Sequence, residues 1–197
     1  MKKIPTLFVR EFEGHKIKKI TREFTNEECK RAFLEGTPTI KFDGACCAII
    51  DGELYKRYDA KNGKPVPEGA IRCQEEPDPI TGHLPCWVKV EYLNPADKWF
   101  RKAYENYEML YDAPDDGTYE AIGKHFQGNP YNRCYDILIP HGRDITILEE
   151  RTFEGVKKFL ETFPQEGLVF WLDGKPICKI KRTDFGLEWP IKEKENE

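Results

Sequence analysis

Short apolar stretches separated by Asp-Gly steps recur along this chain. Thr39 to Phe42 leads into Ala45 to Ile50, then Asp51-Gly52, then Glu53 to Tyr58. That pattern predicts a hairpin closed by an Asp-Gly turn, since both central residues must tolerate positive φ. The same grammar returns in Gly167 to Leu172, Asp173-Gly174 and Pro176 to Lys181. Thr118 to Ile122 and Arg133 to Pro140 are further predicted strands. Three segments read instead as helices, two of them with apolar residues at helical spacing. Asn94-Pro95 opens one helix, with Trp99, Ala103, Tyr107 and Leu110 on a single face. A second begins near Thr152, turns Phe153, Val156, Leu160 and Phe163 inward, and closes at Pro164. A third runs from Asn26 to Glu35 and ends at Gly36. Strands outnumber helices and hairpins join them, which predicts an α+β fold of antiparallel β-sheets flanked by helices.

The 197 residues suit a single domain, 1–197, with a strand/helix appendage over 1–36. Residues 61–90 hold Pro65, Pro67, Pro77, Pro79 and Pro85 and read as a long irregular insertion, the kind of loop that is usually functional. Lys192 to Glu197 reads as a frayed charged end.

Composition narrows the function classes. Hydrophobic residues at 39% and aromatics at 13% supply a real core. The longest apolar run, Ala45 to Ile50, is far too short to cross a membrane, and residues 1–14 lack the apolar stretch of a signal peptide. The net charge of -4 excludes strong long-range attraction to a polyanion, so a nucleic-acid contact needs a local basic cluster. Seven cysteines without a CxxC pair point to reduced thiols and a cytoplasmic compartment rather than a disulfide framework or zinc site. His15, His83, His125 and His141 show no metal-binding spacing and receive no role.

Four groups of residues could carry chemistry. Lys41-Phe42-Asp43-Gly44 puts a lysine at a strand end beside a turn that a phosphate could approach. An exposed lysine at an ordinary strand junction has the same pattern. Lys179 and Lys181 share one face of a late strand while Cys178 and Ile180 take the other. Two ammonium groups so placed could neutralise a triphosphate and depress the pKa of a neighbouring amine. A water-facing sheet edge explains them equally simply. Glu120 and Glu166 sit in otherwise apolar strands, where a carboxylate needs a partner such as a metal ion, a ribose hydroxyl or a salt bridge. Tyr135, Phe185 and Trp189 could stack on a purine or simply pack in the core.

Taken in order, these elements resemble the covalent nucleotidyltransferase superfamily of DNA ligases, RNA ligases and capping enzymes. The family's lysine motif matches Lys41 to Gly44, and its arginine strand matches Tyr55-Lys56-Arg57-Tyr58. Its glutamate motif matches Tyr119-Glu120-Ala121-Ile122-Gly123, and its aromatic strand matches Tyr135-Asp136-Ile137-Leu138. Glu166 to Phe170 and Lys179 to Lys181 complete six matches in order. Gly82 to Val88, Gly128 to Tyr131, Leu138 to Gly142 and Gly186 to Pro190 further resemble the vertebrate-type self-adenylylating 5′-to-3′ RNA ligase family.

The resemblance implies a ligase adenylation-domain architecture, ATP and Mg2+ or Mn2+ as cofactors, and RNA with 5′-phosphate and 3′-hydroxyl ends as partner. No obligate protein partner or membrane is implied. It implies Lys41 as nucleophile with Lys179 and Lys181 catalytic, Arg57 on phosphate or ribose, Glu120 on ribose and Tyr135 against adenine. Glu166 is implied on the metal side. Thr39 stands where many members have glutamate, leaving adenine to Thr39 and the Ile40 backbone. Cys46 stands where DNA ligases usually place arginine. No separate oligonucleotide-binding domain fits the remaining length, which disfavours a DNA ligase or capping enzyme. Transfer to another acceptor, DNA or protein, and a non-catalytic module that binds nucleotides or RNA ends are the alternatives.

Overall fold

The computed structural model describes residues 1–14, 16–61, 64–79 and 81–191. His15, residues 62, 63 and 80 of the insertion, and the 192–197 tail lie outside the described residues. In chain order the elements are β1 (Phe8–Glu13), β2 (Lys16–Phe24), α1 (Glu27–Glu35), β3 (Thr37–Lys41), β4 (Ala45–Ile50) and β5 (Glu53–Ala60). Next come β6 (Ile71–Arg72), β7 (Leu84–Lys89), α2 (Lys98–Tyr111), β8 (Gly117–Ile122) and β9 (Ile137–Pro140). The chain ends with α3 (Phe153–Thr162), β10 (Gly167–Leu172) and β11 (Lys175–Lys181). The fold is α+β, and every pairing between these strands is antiparallel.

The chain forms two compact units where the sequence reads as one domain. One comprises Met1–Lys3 and Asp43–His141; the other comprises Ile4–Phe42 and Gly142–Glu197. The first holds a six-stranded sheet in the order β6-β7-β5-β4-β8-β9. Helix α2 covers it with Ala103 and Tyr107 buried, Tyr107 meeting Tyr119 edge-on at 5.8 Å. Leu110, on the same predicted face, is exposed in the last turn of α2.

The second unit holds the three-stranded sheet β11-β10-β3 and the β1-β2 hairpin. Leu168, Phe170, Cys178 and Ile180 point from the sheet into a core with Phe33, Val156 and Leu160 from the helices. Leu7, Phe8 and Ile20 of the N-terminal segment belong to that core too. Burial of Phe8, Cys29 and Phe33 packs the hairpin and α1 into this unit's core.

Both Asp-Gly turns form, with φ of 52° and 74° at Asp51 and Gly52 and 50° and 72° at Asp173 and Gly174. Asn26 and Thr152 cap α1 and α3 by accepting from the Cys29 and Gly155 amides. Two expectations fail locally. Residues 133–136 do not join β9, because Asn129 ties off Arg133 through both its amide groups and Asp136 turns inward. The insertion is not irregular throughout: β7 pairs along β5 from Leu84 to Lys89. Pro85 hides that strand from a sequence reading because it lacks an N–H, yet its carbonyl still accepts from Cys73 at 2.9 Å.

Candidate functional site

In the second unit Gly167 of β10 lies directly between Lys41 of β3 and Lys181 of β11, and Val169 lies between Thr39 and Lys179. Directly opposed residues of antiparallel strands share a face. Lys41, Lys179 and Lys181 therefore stand together on the face opposite Leu168, Phe170, Cys178 and Ile180. Gly167 adds no side chain between them. A Cβ there would overlap the Ile180 carbonyl oxygen, so close pairing of β10 with β11 requires glycine.

Glu166 precedes Gly167 and is 3% exposed. One of its oxygens accepts from the Lys41 ammonium and the other from Lys181 Nζ at 2.6 Å. Expected on the metal side, it has both oxygens engaged by lysines and acts as their shared counter-ion. Asp184, whose side chain is fully buried, accepts from Arg10 Nε at 2.9 Å and from the Lys181 amide at 2.8 Å. Lys41, Lys179, Lys181 and Arg10 thus gather around Glu166 and Asp184, a grouping of cations that a polyanion could meet. Burial lowers the pKa of Lys179 to about 8, with Lys41, Lys181 and Arg10 adding repulsion and Glu166 opposing it. Lys179, itself one of the paired lysines, is thus depressed.

Thr39 and Ile40, expected against adenine, have partners inside the same unit. Thr39 is 1% exposed; its hydroxyl donates to the Val169 carbonyl and accepts from Trp171 Nε1 at 2.9 Å. The Ile40 amide donates to the Asp144 carbonyl at 2.8 Å.

The first unit holds the other expected residues. Cys46 and Glu120 are directly opposed on β4 and β8 and share a sheet face. Lys56 opposes Cys47, so Arg57, one residue on, takes the Cys46 side. Arg57 donates to Asp59 Oδ1 at 2.8 Å and to the Met1 carbonyl at 3.0 Å. Burial works against its charge, but Asp59 outweighs that and holds its pKa above the usual value. Glu120 accepts from the Gly44 amide through Oε1 and pairs with His141 Nε2 through Oε2, each at 3.0 Å. Gly44 cannot carry a side chain, since a Cβ would overlap the Ala121 carbonyl. Tyr135 is 42% exposed, just before β9.

Two groupings escape the sequence reading. His141 Nδ1 lies 3.0 Å from Thr118 Oγ1, and Cys46, Glu120 and His141 bring one ligand atom each within 4.8 Å of one another. Burial, then Glu120, pushes the Cys46 thiol up to about 12. Separately, His125 stacks on Trp99 at 3.3 Å and pairs through Nδ1 with buried Asp136 at 2.7 Å. Neither has a spacing signal, because each joins residues from separate elements. The Pro-His-Gly step ending β9 is the only local mark of His141.

Among the described residues no helix is long and apolar enough to cross a membrane. All seven cysteines are free thiols. No known protein-family model matches the chain. No curated protein matches it either.

Proposed function

We propose that this chain is an ATP-dependent RNA ligase of ligase adenylation-domain architecture, joining 5′-phosphate and 3′-hydroxyl ends through a Lys41-AMP intermediate in the cytoplasm. The observation that supports the reading is the alignment of Lys41, Lys179 and Lys181 on one sheet face, with Glu166 beneath Lys41 and Lys181. A triphosphate needs concentrated positive charge, and an amine nucleophile needs neighbours that can take its proton.

In the first step a bond forms from Lys41 Nζ to the α-phosphorus of ATP and the bond to pyrophosphate breaks. Glu166, within hydrogen-bond reach of that amine, receives the proton. Lys179 and Lys181 neutralise charge developing on the phosphate oxygens. The AMP then passes to an RNA 5′-phosphate, and a 3′-hydroxyl displaces it to form the phosphodiester. Glu166, the carboxylate expected on the metal side, is committed to two ammonium groups and does not fit a resident divalent cation. Magnesium or manganese is therefore assigned to the triphosphate, as part of the substrate. Roles for Arg57, Glu120 and Tyr135 rest on the resemblance alone.

Incubation with α-labelled ATP and magnesium tests the reading. Denaturation-resistant label on the wild type and none on Lys41→Ala is expected; equal labelling of both ends the lysine assignment. Offering the labelled protein single-stranded RNA, nicked RNA and DNA separates acceptors. Sealing of DNA alone, or nucleotide binding without an adduct, removes the RNA ligase reading.

A further inference from the structure

We infer that Cys46, Glu120 and His141 form a binding site for a borderline-soft divalent cation of the zinc class. The three donors come from one face of the six-stranded sheet. Cys46 and Glu120 are register partners on β4 and β8, and His141 follows directly on β9, with its amide held by the Thr118 carbonyl at 3.0 Å. The ladder therefore fixes their backbones. Their ligand atoms lie within 4.8 Å of one another. A tetrahedral zinc ion, with bonds of roughly 2.0 to 2.3 Å, asks for ligand atoms about 3.5 Å apart, so rotamer-scale adjustment of these side chains would seat it.

The surroundings match what such a site needs. The Gly44 amide holds Glu120 Oε1, which turns Oε2 toward His141. Thr118 Oγ1 sits on His141 Nδ1, and a hydroxyl can donate or accept there. When Nδ1 carries the proton and donates to Thr118, the Nε2 lone pair is free to ligate, the arrangement typical of metal-bound histidines. Without the ion, the same hydroxyl can donate to Nδ1 while Nε2–H donates to Glu120. The site is thus satisfied in both states.

Binding is balanced. A metal–sulfur bond forms as the Cys46 S–H proton leaves to solvent, and the His141 proton moves from Nε2 to Nδ1. Thiolate and carboxylate then offset the two positive charges of the ion. Three protein donors leave a fourth coordination position for water or another ligand. The mixture of sulfur, nitrogen and oxygen favours zinc or cobalt over magnesium. The inference does not depend on the ligase reading.

Cobalt(II) titration of the full-length chain tests it. Expected are tetrahedral d–d absorption and a sulfur-to-cobalt charge-transfer band at one equivalent, with release of one proton, and displacement by zinc. Cys46→Ser should abolish the charge-transfer band while Cys134→Ser, at an exposed thiol, keeps it. Thr118→Val should keep the band and weaken cobalt binding roughly tenfold or more. Circular dichroism of each variant confirms that it folds. A spectrum of hexa-aquo cobalt only, or a charge-transfer band that survives Cys46→Ser, overturns the site.

Discussion

Lys179 is held in the folded chain at a cost, and removing it should stabilise the protein. Its pKa falls from 10.5 to about 8, first through burial and then through Lys41, Lys181 and Arg10, with Glu166 offsetting part. That displacement corresponds to about 3 kcal/mol of stability. The sign follows from proton counting. Below pH 8 Lys179 is charged in both states, and the full penalty applies. Between about 8 and 10.5 the unfolded chain binds a proton that the folded chain has lost, so stability rises with pH. Lys179→Met removes the charge and keeps the aliphatic stem. Urea denaturation at pH 7 should show the variant more stable than wild type by about 3 kcal/mol. In thermal melts this is a rise on the order of 6 to 12 °C. The gain should shrink above pH 8 and vanish near pH 10.5, other titrating groups cancelling in the comparison. A variant less stable than wild type at pH 7, or a gain that persists unchanged at pH 10, would refute the reasoning. Under the proposed activity, the same substitution should lower adenylylation, a stability–activity trade-off.

Glu166→Gln leaves Lys41 and Lys181 without their shared counter-ion and should cost about 2 to 4 kcal/mol in urea melts, part of it recovered by added phosphate. Unchanged stability with no phosphate response would show that the carboxylate does not balance the cluster. Gly167→Ala drives a Cβ into the Ile180 carbonyl and should cost about 2 to 4 kcal/mol, with loss of labelling as β10 and β11 separate. Wild-type melting and labelling would contradict that packing. Asp97, 0% exposed, accepts from Lys56 and from the Glu91 amide at 2.9 Å. Asp97→Asn should cost about 2 kcal/mol, and combining it with Lys56→Met should recover part of the loss. Strict additivity of the two substitutions would remove the coupling.

Both hairpins were legible because an Asp-Gly step between two strand-like segments encodes the turn and, with it, the register. Period two placed Lys179 and Lys181 on one strand face, and the stretches ending at Gly36 and at Pro164 were read as the helices that α1 and α3 form. The sequence could not bring Lys41 beside them, because β3 and β10 pair across more than a hundred residues and that register is written in no local motif. Glu166 shows the same limit. A carboxylate in an apolar strand signals a partner, but whether that partner is a metal or a lysine depends on which strands lie alongside. The division into two units was hidden because the second is discontinuous, assembled from Ile4–Phe42 and Gly142–Glu197. His125, Asp136 and Trp99 were unreadable for a similar reason. Their stack depends on α2 crossing the sheet, and no spacing between residues 99, 125 and 136 records it.

The central claim is that one amine among three neighbouring lysines takes the nucleotide. Peptide mapping by mass spectrometry, after incubation with ATP and magnesium and quenching with EDTA and denaturant at alkaline pH, where a phosphoramidate bond survives, reads this directly. An AMP adduct on the peptide carrying Lys41, lost when pyrophosphate is added before the quench, is the predicted result. An adduct on Lys179 or Lys181 instead, or none on any lysine, contradicts the account.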